Sequence, residues 1–288
     1  MITLKNDKLT VLIAELGAEI RSIKSSDGVE YIWQGAPNDW EGTAPNLFPI
    51  VGRLRDCYYT HEGTRYDMEI HGFSYQTVFD CTELSDDHAK FCIKSTEITK
   101  KQYPFDFIFT VEYTLADDTL TTRYGILNTG DTDMYYSVGA HPGFNVPFTK
   151  SGNFNQYFLE FDEECTPDGY SLTDDGFISG EKAPFNLIMD KILPLAGQEM
   201  FVPTVFLENM SKGITLKCNR TRRKVRLCYD DFKYLALWHE DNGPYICIEP
   251  WTGTPDKIGD GREISSKNEM TVLKPNEAHG YSFSISIN

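Results

Sequence analysis

The chain has 288 residues, with 40% apolar and 24% charged side chains, a globular composition long enough to bury a full core without disulfide or metal staples. Its 27 basic against 43 acidic residues give a formal net charge of −16. A surface of that sign repels phosphate backbones and anionic lipid heads, which argues against nucleic acid and membrane partners and favours a neutral small molecule.

The N-terminus, from Met1 to Lys8, has no signal-peptide core, and no stretch approaches the ~20 apolar residues of a membrane helix. The expected location is therefore cytoplasmic. The 7 cysteines are odd in number and form no Cys-x-x-Cys, so neither a disulfide framework nor a zinc ribbon is expected. Most of them, such as Cys92, Cys218 and Cys247, fall in apolar runs and read as buried free thiols.

Short strands dominate from the first residues. Thr10–Glu15 and Ala18–Ile23 are followed by the turn Ser26-Asp27-Gly28. The segment Asn46-Leu47-Phe48-Pro49-Ile50-Val51-Gly52-Arg53 then breaks the pattern. Arg53 ends an apolar run, and reads either as an edge-strand arginine paired with a carboxylate or as a fork donor to ligand hydroxyls. In Ile70-His71-Gly72-Phe73 the glycine permits a tight turn that presents the imidazole into a cavity, although taken alone the segment reads better as a satisfied loop histidine. Lys90–Ser95 resumes the strands. Phe107, Phe109, Val111, Tyr113 and Leu115 alternate with more polar residues, turn at Ala116–Thr119, and continue in Leu120, Thr122, Tyr124 and Ile126. That period of two predicts a long antiparallel hairpin.

Met134–Val138 leads into Gly139-Ala140-His141-Pro142-Gly143-Phe144-Asn145, where Pro-Gly punctuates a turn directly after the histidine and fixes the imidazole at a strand end. Tyr157–Phe161 precedes an irregular stretch, Thr166–Pro203, read as a long loop over one face. The remaining runs are Gly213–Cys218, Lys224–Tyr229, Tyr234–His239, Tyr245–Ile248, Met270–Leu273 and Tyr281–Ile287, with a turn at Asp241-Asn242-Gly243-Pro244. Within them, Ile246-Cys247-Ile248-Glu249-Pro250-Trp251-Thr252-Gly253 ends an apolar strand on a carboxylate. Glu249 is either an exposed strand-end acid or a buried one whose raised pKa suits a general base. His239, before a turn, is expected to face solvent. With no apolar period of 3.6 over a dozen residues and no linker, the expectation is a single all-β domain over residues 1–288, a large antiparallel sandwich.

No phosphate-cradling, dinucleotide or nucleophile-elbow glycine motif occurs, and no two of the 6 histidines fall at His-x-x-x-His spacing. A metal site would have to be assembled from distant positions.

Taken together, Leu47-Phe48-Pro49 with Gly52-Arg53, His71-Gly72-Phe73, His141-Pro142-Gly143-Phe144-Asn145 and Glu249-Pro250-Trp251 resemble the aldose 1-epimerase (mutarotase) family, in particular its LacX-like branch. The resemblance runs through nearly the whole chain and implies a galactose mutarotase-like supersandwich with an open cleft. It implies interconversion of the α and β anomers of a monosaccharide such as glucose or galactose, without cofactor or metal, by a monomer or homodimer. On the matching positions Glu249 would be the general base and His141 the general acid. Arg53, His71 and Asn46 would bind the sugar, and Phe144 and Trp251 would stack on its apolar face. The family's substrate-binding aspartate has no local motif here; Asp190 is one candidate. Two other readings use the same fold. One is a hexose-6-phosphate 1-epimerase, which Ser74-Tyr75-Gln76 after His-Gly-Phe and the net charge disfavour and which Arg55 and Arg65 keep open. The other is a non-catalytic sugar-binding protein.

Overall fold

The computed structural model describes residues 1–288 except residues 38, 150–151, 198–200, 202–203 and 241–242. Among the described residues helix is confined to short 3₁₀ turns, and no helix is long and apolar enough to cross a membrane.

The expected hairpin is present as Phe107–Ala116 and Thr119–Asn128, in unbroken register from Ala116↔Thr119 to Phe107↔Asn128. Its alternation is the reason it forms: Phe107, Phe109, Val111 and Tyr113 are fully buried while the residues between them are partly wetted. Each such side chain contributes roughly 1.5–3 kcal/mol on burial.

This hairpin lies in a nine-stranded antiparallel sheet. From one edge to the other, the strands are Ile192–Pro194, Tyr157–Phe161, Gly213–Cys218, Lys224–Cys228, Ala278–Ile287, Thr119–Asn128, Phe107–Ala116, His88–Lys94 and Asp80–Leu84. The second large sheet runs Ile178–Pro184, Asp168–Leu172, Val205–Glu208, Tyr234–Trp238, Tyr245–Trp251, Gly139–Ala140 and Asn46–Leu47, with Gly143–Asn145 also pairing to Tyr245–Trp251. A three-stranded sheet of Ile2–Lys5, Leu9–Ile13 and Ile20–Ser25 completes the core on one side. The fold is a large antiparallel β-sandwich.

The strand Tyr245–Trp251 is buried along its whole length, because both of its faces are covered. Ile246 and Ile248 point into the core between the sheets. Tyr245, Cys247 and Trp251 belong to two separate apolar clusters on the opposite face, which is also the face of Glu249. That double covering explains why its sequence reads as a continuous apolar run instead of an alternating one.

Three expectations are corrected. The stretch Thr166–Pro203 is not a bare loop: among its described residues, Asp168–Leu172 and Ile178–Pro184 form an edge hairpin and Ile192–Pro194 an edge strand. Its glycines and charges mask the period of two, since an edge hairpin has few buried positions to mark it. Residues 198–200 and 202–203 of that stretch lie outside the described residues, as do 241–242 of the expected turn at Asp241–Pro244. His239 does not face solvent but is fully buried, its ring 4.9 Å from that of Phe154 and its Nδ1 2.6 Å from the Glu240 carbonyl. All 7 cysteines are free, yet only Cys218 and Cys247 are buried, and Cys57 is exposed.

Candidate active site

The concave face of the second sheet carries a cleft of about 1010 Å³. Sheet register puts the two most reactive side chains on its floor. Gly139 pairs with Trp251, and Gly143 pairs with Cys247. The same antiparallel register sets His141, midway between the two glycines, opposite Glu249 in the neighbouring strand. Pro142 interrupts the ladder there, so the imidazole occupies the cleft above the carboxylate. His141 Nε2 stands 3.2 Å from Glu249 Oε2, and the two residues are only 8% and 1% exposed. Ala236 is the other cross-strand neighbour of Glu249, and its small side chain leaves room beside the carboxylate.

His71 reaches the same floor from a different part of the chain. Its own φ is +65°, an uncommon conformation for a residue with a Cβ. Two hydrogen bonds to Gly52 hold it there: the His71 N–H donates to the Gly52 carbonyl at 2.9 Å, and the Gly52 N–H donates to His71 Nδ1 at 3.1 Å. With Nδ1 accepting, the neutral ring carries its proton on Nε2 as a donor. Gly72, at φ +78°, must lack a side chain, because a Cβ would stand 2.3 Å from the Phe48 carbonyl oxygen. The rings of His71 and His141 meet edge to face with centroids 5.3 Å apart. Arg53, directly after Gly52, is exposed and lines the cleft.

Three tryptophans wall the site. Trp251 lies 5.6 Å from the His71 ring and is 5% exposed. Trp40 stacks on His141 at 4.8 Å and 29°, and Trp238 meets that imidazole edge-on at 5.8 Å. The close approach of Trp40 requires Gly143, where a Cβ would lie 2.7 Å from the indole. Trp40 and Trp238 are not among the residues expected from sequence. Trp238 carried a usable signal, since it alternates with Ala236 and Tyr234 on the cleft face of its strand. Trp40 sits in a loop whose path no local pattern gives.

The structure thus brings together Glu249, His141, His71, Arg53 and Trp251 around one cleft. It does not bring Asn46 or Phe144 there. Asn46 is 2% exposed and saturated by protein partners: its Nδ2 donates to the carbonyls of Gly17 and Ala18 and to the Tyr113 hydroxyl, and its Oδ1 accepts from Tyr124. Phe144 is fully buried in the core, on the opposite side of its short strand from the cleft. Asp190 is exposed and does not line the cleft; the aspartates that do are Asp174 and Asp175, at the tip of the edge hairpin.

Burial dominates the electrostatics. It pushes the Glu249 carboxyl well above the usual carboxylate range and His141 down to about 3. Burial, and then the neighbouring His141 and Arg53, hold His71 well below the usual imidazole value, which keeps it neutral. Glu249 and His141 are therefore a closely spaced pair in which a single proton is the favoured load: the doubly protonated and doubly deprotonated states each leave an uncompensated buried charge. Behind the pair, Cys247 is fully buried, and one donor atom each of His141, Cys247 and Glu249 lies within 4.8 Å of the other two.

An acid and a base stand side by side on the floor of an open cleft walled by tryptophan. Residues 1–286 match the family model described as aldose 1-epimerase. The chain belongs to the aldose 1-epimerase family. Within it, the chain is 33% identical to the plasmid-encoded LacX protein of Lactococcus lactis subsp. lactis, over 99% of both sequences. Among solved structures, a galactose mutarotase related enzyme from Lactobacillus acidophilus superposes with a TM-score of 0.94 at 29% identity, covering 99% of this chain and 96% of that one. A galactose mutarotase-like protein from Lactobacillus casei ATCC 334 gives 0.93 at 28% identity over the full length of both.

Proposed function

We propose that this protein is an aldose 1-epimerase that interconverts the α and β anomers of a free aldose such as glucose or galactose. The observation that carries the reading is the 3.2 Å separation of His141 Nε2 and Glu249 Oε2 on the cleft floor. Anomerisation moves protons at two oxygens attached to one carbon, so the acid and the base must be close neighbours. A pair that holds one proton between them matches that need.

The reacting form of the one-proton pair carries its proton on His141: the hydroxyl on C1 then loses its proton to the Glu249 carboxylate while the ring oxygen gains one from His141, and the C1–O5 bond breaks. The open aldehyde turns about C1–C2 and offers its other face. On closure the O5 hydroxyl attacks that other face of C1 and gives its proton back to His141, while Glu249 returns its proton to the carbonyl oxygen in its new position. Each well-placed acid or base contributes roughly 10²–10⁴-fold. His71, neutral and donating through Nε2, and Arg53 hold sugar oxygens, and the indole of Trp251 faces the apolar side of the ring.

The charge of the cleft favours a free sugar over a phosphorylated one. Glu19, Glu41, Asp174, Asp175 and Glu249 line it against Arg21 and Arg53, and Arg21 is already paired with Glu19 at 2.9 Å. Arg55 and Arg65 do not line it; Arg55 bonds to the Asp260 carbonyl and Arg65 pairs with Asp67. The test is polarimetry on freshly dissolved α-glucose and α-galactose. Equilibration much faster than the buffer blank is expected; a rate equal to the blank with sugar still bound would leave a sugar-binding protein instead.

A further inference from the structure

We propose that His141, Cys247 and Glu249 form a three-ligand site for a thiophilic divalent cation such as Zn²⁺, and that the ion and the sugar exclude one another. The inhibition part rests on the epimerase reading; the metal site itself does not.

The ligand set arises from the sheet. Cys247 and Glu249 are two residues apart in one strand, so their side chains share the cleft face. His141 is carried over them by the neighbouring segment. One donor atom from each lies within 4.8 Å of the others, with the imidazole and carboxylate donors already 3.2 Å apart. Two further facts point to a ligand. Among the described residues, His141 Nδ1 is buried without a hydrogen-bond partner, and Glu249 Oε2, although 3.2 Å from His141 Nε2, makes no well-aligned hydrogen bond, an unfavourable state for buried polar atoms. The charges also close: a dication with one thiolate, one carboxylate and one neutral imidazole sums to zero, the state a dry pocket tolerates best.

Binding releases two protons, one from the Cys247 thiol and one from the His141–Glu249 pair, since the ligands must be deprotonated. Sulfur, imidazole and carboxylate in a three-ligand set suit Zn²⁺ or Co²⁺ with a fourth position open to water, and not Mg²⁺ or Ca²⁺, which prefer all-oxygen shells. The occupied site removes both the acid and the base from the sugar, so inhibition is competitive.

Titration of the purified protein with Co²⁺, followed by visible and near-ultraviolet absorption, tests the site without reference to activity. The expected result is one equivalent bound, with a sulfur-to-cobalt charge-transfer band that Zn²⁺ abolishes and excess Mg²⁺ does not. Cys247→Ser should lose the band and weaken Zn²⁺ binding at least tenfold, and the same loss in His141→Asn covers the case in which the serine variant fails to fold. In polarimetry, Zn²⁺ should raise the apparent KM for sugar and leave the maximal rate unchanged. An absent band, or one that survives in both variants, overturns the proposal even where mutarotation is fast. A band in a protein without mutarotase activity would uphold the site and refute the epimerase reading.

Discussion

Glu249 and Asn46 are both buried polar side chains, and their surroundings give them opposite roles. The carboxylate of Glu249 lacks the ring of partners that would stabilise its charge, and burial raises its pKa. The folded state therefore favours its protonated form, a contribution present below the ordinary carboxylate range and lost as pH rises towards the native value. Glu249→Gln should reduce kcat by at least ~100-fold, the lower bound for a general base. The same change should raise the melting temperature by roughly 2–4 °C at pH 8, about 1 kcal/mol, and by less at pH 5. Calorimetry at both pH values with polarimetry checks the two halves; a stability gain that is independent of pH would show that no buried charge is being relieved. Since the His141–Glu249 pair works with one proton, kcat/KM should be bell-shaped in pH, with apparent pKa values that belong to the pair. Asn46, by contrast, answers to four protein partners. Asn46→Ala should cost about 1–3 kcal/mol or more of stability through the groups it leaves unpaired, while the KM of the folded fraction stays within twofold. Chemical denaturation and steady-state kinetics separate these outcomes.

Between residue and molecule, the cleft histidines depend on how short elements end. His141 owes its place to a ladder that stops at Pro142 and resumes at Gly143. His71 owes its place to a left-handed turn clasped to Gly52 and made possible by Gly72. Gly72→Ala would force a Cβ against the Phe48 carbonyl and add a strained positive φ, at a cost of order 1–3 kcal/mol. Because the strain falls on the turn that aims His71, the surviving enzyme should show a raised KM as well as a lowered melting temperature. A lowered melting temperature with normal KM would mean that the clasp does not position the imidazole. The edge hairpin of Asp168–Leu172 and Ile178–Pro184 offers a parallel case, since its tip delivers Asp174 and Asp175 to the cleft.

At the scale of the whole molecule, the net charge of −16 and the carboxylate-rich cleft act in the same direction. A hexose 6-phosphate should be turned over with kcat/KM at least tenfold below that of the free hexose. Added salt should narrow that gap, because it screens the repulsion over a Debye length of ~10 Å at 0.1 M. Coupled assays of paired substrates at low and high ionic strength measure this. A phosphate ester preferred at low salt would contradict the free-sugar reading.

The strand alternation from Phe107 to Ile126, the all-β class and the four segments that carry Arg53, His71, His141 and Glu249 were legible in the amino-acid order, because period-two patterning and Pro-Gly punctuation are local properties of the chain. Which face a polar residue occupies was not. Asn46 and Phe144 stand inside or beside the right segments, yet sheet register turns one into a hydrogen-bonded core residue and the other into core packing. Trp40, in a loop, reaches His141 only because distant Gly143 leaves space for its ring. The residue types able to move protons are thus written in the sequence, whereas their convergence on one cleft depends on long-range pairing between strands, which no local pattern encodes.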